Sequence, residues 1–142
     1  MDSRLISYLY YFNIKRDYYE CHEYGESLWL DSGRPLVLKG LIQAAVCLYH
    51  LENGNVKGGY TMWLRAREYL APHLPACEGL DLAALIADID GVFQRVPPAY
   101  FGRVLASRLI AEPRLPAVSI RLVDAALAER LADWRPEPLP DR

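Results

Sequence analysis

Apolar residues recur at three- and four-residue spacing through most of the first hundred positions, which predicts a succession of amphipathic helices. Leu5, Ile6, Leu9 and Phe12, with Tyr8, form the inward stripe of a first helix. Asp2 or Ser3 caps it and Asn13 ends it. Asp17 caps a second helix, which places Tyr18, Cys21, His22, Gly25, Leu28 and Trp29 on one face. Glu20 and Ser27 fall opposite, toward water, and Asp31-Ser32-Gly33 makes the closing turn. Pro35 suits the first turn of a third helix. From Leu36 to Leu51 that helix is apolar nearly all round, the pattern of a central, most buried element. Gly54 ends it in a left-handed conformation and Asn55 caps a fourth, so the two are antiparallel neighbours. Tyr60, Trp63, Leu64 and Leu70 bury the fourth helix, and Pro72 and Pro75 bracket its end. Asp81 caps a fifth, with Leu82, Leu85, Ile86, Ile89 and Phe93 at helical spacing, ended by Pro97-Pro98.

Beyond Pro98 the pattern changes: seven of the 10 prolines lie from Pro97 onward. Val118, Ile120 and Leu122 alternate with Ser119 and Arg121, as in an extended segment. Asp124 to Trp134 reads as a short amphipathic helix, and the final R-P-E-P-L-P-D-R as a loose tail. The expected fold class is all-α: a compact helical bundle of about five helices in antiparallel hairpins over residues 1–98. A C-terminal appendage, residues 99–142, is expected to pack on it as an extended segment and a short helix.

Length and composition narrow the function classes. At 142 residues and 52% hydrophobic, the chain has the length of one domain and ample apolar material for a core. A formal net charge of −2 sets up no field that would draw it to nucleic acid or anionic membrane, so neither is an expected partner. The 3 cysteines, Cys21, Cys47 and Cys77, contain no C-x-x-C, which predicts free thiols and a reducing cytoplasmic location. The opening Met1-Asp2-Ser3-Arg4 leads into no uninterrupted apolar run of signal type. The longest apolar stretch, Leu36 to Leu51, is interrupted by Lys39, Gln43 and His50 and falls short of the ~20 residues a bilayer needs.

One polar constellation stands out against the apolar faces. Tyr18 to Trp29, Y-Y-E-C-H-E-Y-G-E-S-L-W, places His22, Glu23 and Glu26 in one helical turn beside the core. On the third helix, Lys39, Gln43 and His50 share a narrow stripe. Gly25 and Gly40 on the two helices leave room for close approach. A buried charge is costly unless partnered. The two stripes are therefore expected to face one another, joining His22, Glu26, Gln43 and His50 in one hydrogen-bond network. H-E-Y-G-E lacks the second histidine of the zinc-protease motif. There is no G-x-S-x-G elbow and no phosphate loop, and Cys21 and Cys47 sit on buried faces where a thiol is inert.

These same segments carry a resemblance. F-N at Phe12-Asn13, Y-Y-E-C-H-E-Y-G-E-S-L-W, K-G-L-I-Q-A-A-V-C-L-Y-H-L-E-N-G-N and K-G-G-Y resemble the family called domain of unknown function 309. The likeness covers Phe12 to Leu70 and extends loosely to Phe93, with Tyr19 where the family pattern has Phe and Gly59 where it has Ala. It implies a compact all-α bundle and brings no assigned activity. It singles out His22, Glu23, Glu26, Trp29, Gln43, His50 and Asn55.

Two functional readings stay open. The first is a small cytoplasmic binding or adaptor module whose partner is a protein or a small molecule. Tyr10, Tyr11, Tyr18, Tyr19, Tyr24 and Tyr69 would be its interface aromatics. The second is a metal-dependent enzyme with His22, Glu26 and His50 as ligands to zinc or iron, supported by Glu23 and Gln43. A homodimer is the expected assembly, as the commonest closed form.

Overall fold

Local cap chemistry and the apolar stripes carry the chain into seven α-helices and one two-stranded sheet among the described residues, 1–140 of this computed structural model. The helices are α1 (Ser3–Tyr10), α2 (Tyr18–Asp31), α3 (Leu36–Glu52), α4 (Val56–Leu70), α5 (Leu82–Arg95), α6 (Ser107–Ala111) and α7 (Ala125–Ala132). The fold class is all-α, as the periodicity predicts. Asp2, Asp17, Asn55, Asp81 and Asp124 each accept a backbone N–H at the start of α1, α2, α4, α5 and α7, so sequence-level capping rules place these starts correctly.

Helix α3 is central. It packs against α2 on one side and α4 on the other. Ala44, Ala45 and Cys47 have no solvent exposure, and Leu41 and Leu51 very little. Three glycines set how closely its neighbours approach. A Cβ on Gly25 of α2 would lie 2.7 Å from Ile42 Cγ1, and one on Gly59 of α4 would lie 2.9 Å from the Cys47 carbonyl oxygen. Gly40 serves α4 and not α2, because a Cβ there would meet Leu70 at 2.9 Å. The expectation that Gly25 and Gly40 open the same seam is thus half correct.

Several elements depart from the periodic reading. Asn13 does not end α1. The chain continues through a π-helical turn, Tyr11–Lys15, and closes on Arg16 with φ 55°. Asn13 instead clamps the extended segment: its Nδ2 donates to the Ile120 carbonyl at 2.9 Å and its Oδ1 accepts from the Ile120 N–H at 2.8 Å. Ser27 is 2% exposed rather than solvent-facing, since Arg4 Nη1 donates to both its carbonyl and its Oγ at 3.1 Å. On α4 the buried stripe is Val56, Gly59, Trp63, Ala66 and Leu70. Leu64 is 43% exposed, and Tyr60 is displaced outward to meet Phe93 and Phe101. A hairpin, β1 (Ala76–Cys77) with β2 (Leu80–Asp81), follows α4, turned by Gly79 at φ +77°.

The alternating segment is extended as expected, with Val118 and Ile120 buried and Ser119 and Arg121 outward. Its Arg121 carbonyl accepts from the Asp81 N–H at 2.9 Å, and Leu122 bridges Leu80. Helix α7 presents Leu127 and Leu131 to the core. The Trp134 Nε1 donates to Ser7 Oγ at 3.0 Å. The tail predicted as loose runs against α2 where it is described: the buried Tyr24 hydroxyl donates to the Glu137 carbonyl at 2.6 Å. Its last two residues, 141–142, lie outside the described part.

All three cysteines are free thiols, and burial pushes those of Cys21 and Cys47 far above the usual thiol range. Burial and the neighbouring Glu78 raise the Cys77 thiol as well, but Cys77 is only half-buried, so it is expected to react first in native unreduced protein, and three thiols to react after denaturation. Titration with a chromogenic disulfide checks this; a single thiol in denatured, unreduced protein would contradict it.

Candidate functional site

The close approaches at Gly25 and Gly59 draw α2 and α4 against the two flanks of α3, leaving a cleft over its outer face. The cleft encloses about 320 Å³ and is lined by His22, Glu26 and Trp29 of α2, Lys39, Ile42, Gln43 and Val46 of α3, and Met62 of α4. Helical spacing accounts for the set. His22, Glu26 and Trp29 follow one another at four and three residues, as do Lys39, Gln43 and Val46. The size lies at the small end of the range for ligand pockets, ~300–1,000 Å³.

His22 lies between two carboxylates. Its Nε2 is 2.9 Å from Glu26 Oε2 and its Nδ1 is 3.3 Å from Glu23 Oε1. At the other end of the cleft the chemistry is cationic. The Lys39 ammonium lies over the rings of Trp29 and Tyr69, at 5.9 and 5.3 Å from their centroids. The Arg34 guanidinium lies over the same Trp29 ring at 5.3 Å. Among the described residues no carboxylate comes within 4.0 Å of Lys39 or Arg34. The nearest acid in sequence, Asp31, is held by Arg4 at 2.6 Å.

Two buried side-chain atoms of cleft-lining residues carry no hydrogen bond: the Trp29 indole Nε1, a donor, and Gln43 Oε1, an acceptor. Leaving such atoms unmet costs about 1–3 kcal/mol each. They are the only side-chain nitrogens or oxygens in that condition among the described residues; both belong to residues of the cleft wall, and the atoms themselves have no solvent contact.

The structure therefore brings together His22, Glu23, Glu26, Trp29 and Gln43, and sets His50 and Asn55 apart. His50 is seven residues along α3 from Gln43, about 10 Å. Its Nδ1 is 3.5 Å from Asn55 Nδ2, and its carbonyl accepts the Asn55 N–H at 2.8 Å. Asn55 in turn caps α4 through Gly58 N–H at 2.8 Å. These two residues build the α3–α4 turn. Rings alone connect them to the cleft, through Tyr49, Tyr19 and His22 with centroids 6.0–6.4 Å apart. The single network predicted through Gln43 and His50 is absent, since Gln43 Oε1 has no partner. The three-ligand set His22, Glu26 and His50 is not assembled either: no group of three or more His, Cys, Asp or Glu among the described residues is placed to hold an ion.

Sequence reasoning missed Met62, which completes the α4 wall, and named Tyr69 only as an interface aromatic, whereas its ring lies under Lys39. They stand seven residues apart, two turns, and so share a face; that spacing was the available signal. A second cavity, about 330 Å³, lies beside Leu48, Leu51, Val92, Ile110 and Leu115. Desolvation raises the Tyr18 hydroxyl and the Glu52 carboxyl at its edge above their ordinary values, and none of its polar atoms is buried without a partner. No helix among the described residues is long and apolar enough to cross a membrane.

Comparison with known proteins agrees with the motifs. Residues 5–62 match the family model described as Domain of unknown function (DUF309). The match begins earlier than the motif likeness and stops within α4. The chain is also 33% identical over 96 residues to the uncharacterized protein YpuF of Bacillus subtilis (strain 168). That alignment covers 64% of this chain and 55% of YpuF, so the chain spans about half the length of that relative. No solved structure matches the chain.

Proposed function

We propose that this chain, whose residues 5–62 belong to a family described only as a domain of unknown function, is a helical binding module whose ligand seat is the cleft between α2, α3 and α4. The observation that carries this reading is the cleft itself, about 320 Å³ between three helices, whose lining joins an apolar wall of Ile42, Val46 and Met62 to the polar side chains of His22, Glu26 and Lys39. That wall contributes burial to a bound molecule. His22 and Glu26 close the opposite end, with the His22 Nε2 2.9 Å from Glu26 Oε2.

The cleft supports this reading better than the tyrosines do. Of the six tyrosines considered as interface aromatics, only Tyr19 is an exposed side chain, at 54%. Tyr18 and Tyr24 are core residues, and Tyr69 is spent under Lys39. In this reading residues 1–98 supply the seat and the described part of the C-terminal segment, residues 99–140, braces the first two helices from behind, through Asn13, Ser7 and Tyr24. The metal-enzyme reading gains no support from the side-chain placement.

The test is fragment mapping by NMR on the full chain, with the Trp29 indole signal identified by Trp29→Phe. Weak binders are expected to perturb the Trp29 indole and the Gln43 side-chain amide together. Binders that collect at the Leu48–Leu115 cavity and leave these signals unmoved would overturn the proposal.

A further inference from the structure

The C-terminal segment is held to the bundle in two unlike ways. Up to Trp134 it is anchored: Leu127 and Leu131 reach the core, and the Trp134 indole donates to Ser7 Oγ at 3.0 Å. Beyond Trp134 the sequence is R-P-E-P-L-P. Proline fixes its own φ near about −65° and keeps the residue before it out of the helical region. Prolines at 136, 138 and 140 therefore commit the whole run to an extended, polyproline II course. Residues 135–140 accordingly lie in no helix or strand. Pro136 and Leu139 are half-buried, while Arg135, Glu137, Pro138 and Pro140 are exposed. Polyproline II has three residues per turn, so positions 136 and 139 share one face, and that face is turned to the bundle.

The surface beneath Glu137 is aromatic. Tyr24 of α2 stacks on Tyr11 of the π turn with ring centroids 5.5 Å apart, and Tyr10 meets Tyr11 edge-on at 5.2 Å. The Tyr24 hydroxyl donates to the Glu137 carbonyl at 2.6 Å. Desolvation raises that hydroxyl above its ordinary range, so it stays a protonated donor. A polyproline II backbone has no internal hydrogen bonds, which leaves its carbonyls free to accept. Aromatic-lined surfaces are a general means of recognising proline-rich segments in this conformation. Among the described residues, one hydrogen bond ties residues 135–140 to the bundle, so this run is far more lightly held than the part that ends at Trp134.

We propose that the Tyr11–Tyr24 face is a docking surface for a proline-rich segment of a partner protein, and that residues 135–140 are a strap that occupies it in cis. The partner segment has the chemistry that the strap shows to fit: apolar residues three apart in a polyproline II course, with an intervening carbonyl for Tyr24. A second copy of this chain is the poorer occupant. Its own strap is already held in cis at the roughly millimolar effective concentration of a short tether, so exchange between copies adds no contact. The surface shares no residue with the lining of the α2–α3–α4 cleft, and the inference does not depend on that cleft being a ligand seat.

The probe is the peptide acetyl-RPEPLP-amide, titrated into the full chain and followed by NMR, with the Tyr24 ring signals identified by Tyr24→Phe. A full-length variant with Pro136→Gly and Leu139→Asp releases the strap. It is expected to bind the peptide at least about tenfold more tightly than wild type, as uncovering a surface that is free about a tenth of the time requires. Leu139→Asp alone repeats the comparison with a milder change, and thermal melts check that each variant is folded. Adding Tyr24→Phe to the released variant should weaken binding about two- to tenfold, the loss of one hydrogen bond. A peptide with alanine at all three prolines should bind at least about tenfold more weakly than the probe, since it is not preorganised. Equal affinity of wild type and the released variants would overturn the strap. No binding to a folded released variant, or equal binding of the alanine peptide, would overturn the docking surface. Sedimentation of the wild type is expected to show no dimer that the peptide dissociates; such a dimer would give the surface to a second copy and overturn the assignment to a partner protein.

Discussion

Trp63→Ala is expected to lower the unfolding free energy by about 3–5 kcal/mol, the range for removing a large aromatic side chain from a packed core. Trp63 is 1% exposed at the centre of the α4 face that meets the rest of the bundle. Its Nε1 donates to Asp90 Oδ1 of α5 at 2.8 Å, and Arg67 Nη2 lies 3.2 Å from Asp90 Oδ2. The substitution therefore opens a cavity and takes away the hydrogen bond that ties α4 to α5. Trp63→Phe separates the two effects. It keeps much of the ring volume and loses the bond to Asp90, so the expected loss is smaller, about 1.5–3 kcal/mol, as for hydrogen bonds to charged groups. Denaturant midpoints at unchanged slope measure both. A loss under about 1 kcal/mol for Trp63→Ala would show that α4 does not pack on the core in this way.

Gly54→Ala carries the second large effect. Gly54 has φ +85°, and a Cβ there would lie 2.0 Å from the Leu105 carbonyl oxygen, a backbone atom that no rotamer change can move aside. The left-handed conformation alone costs a non-glycine residue about 1–2 kcal/mol. The clash forces residues 103–105 off the α3–α4 turn. That breaks the Leu105 N–H bond to Gly54 O at 2.8 Å and strains the Lys57 N–H bond to Arg103 O at 3.0 Å. With each bond contributing about 0.5–1.5 kcal/mol, a total loss of about 2–5 kcal/mol is expected. Gly54→Asn tests the cause. Asparagine tolerates the left-handed region far better than alanine, yet its Cβ meets the same carbonyl, so it should recover little. Recovery to near wild-type stability would mean that backbone conformation, and not the approach of Leu105, is what requires glycine here.

Gly54 shows where reading by sequence stops. N-G-N between two helical patterns is a sufficient local signal for a left-handed helix end and a capped restart, and both are present. Nothing local announces that residues 103–105 return to lie across that turn. Asn13 makes the same point from the opposite side. Beside the end of α1 it reads as a terminator, because asparagine bonds readily to its own backbone. Its side chain is taken instead by Ile120, 107 positions away, and the helix runs on through a π turn.

What the amino-acid sequence by itself determined is what depends on neighbours within a turn or two. The helix starts at Asp2, Asp17, Asn55, Asp81 and Asp124, the inward stripes of α1 and α5 and the central burial of α3 are of this kind. Caps act over three residues and amphipathic faces repeat every 3.6, so both are visible in the order of residues alone. The placing of His22, Glu26 and Gln43 in one region was legible for the same reason, since each lies on a stripe of its own helix. Which helices those stripes face was left to the tertiary structure. Gly40 opens toward Leu70 rather than α2, Ser27 is buried by Arg4, and His50 turns to Asn55. Those outcomes depend on contacts between segments far apart in the chain, where shape and the satisfaction of buried polar groups decide between alternatives that local periodicity cannot rank. The unpartnered indole of Trp29 and carbonyl of Gln43 belong to this second kind. A donor and an acceptor left unmet are properties of a packed cleft, and no spacing of residues along the chain encodes them.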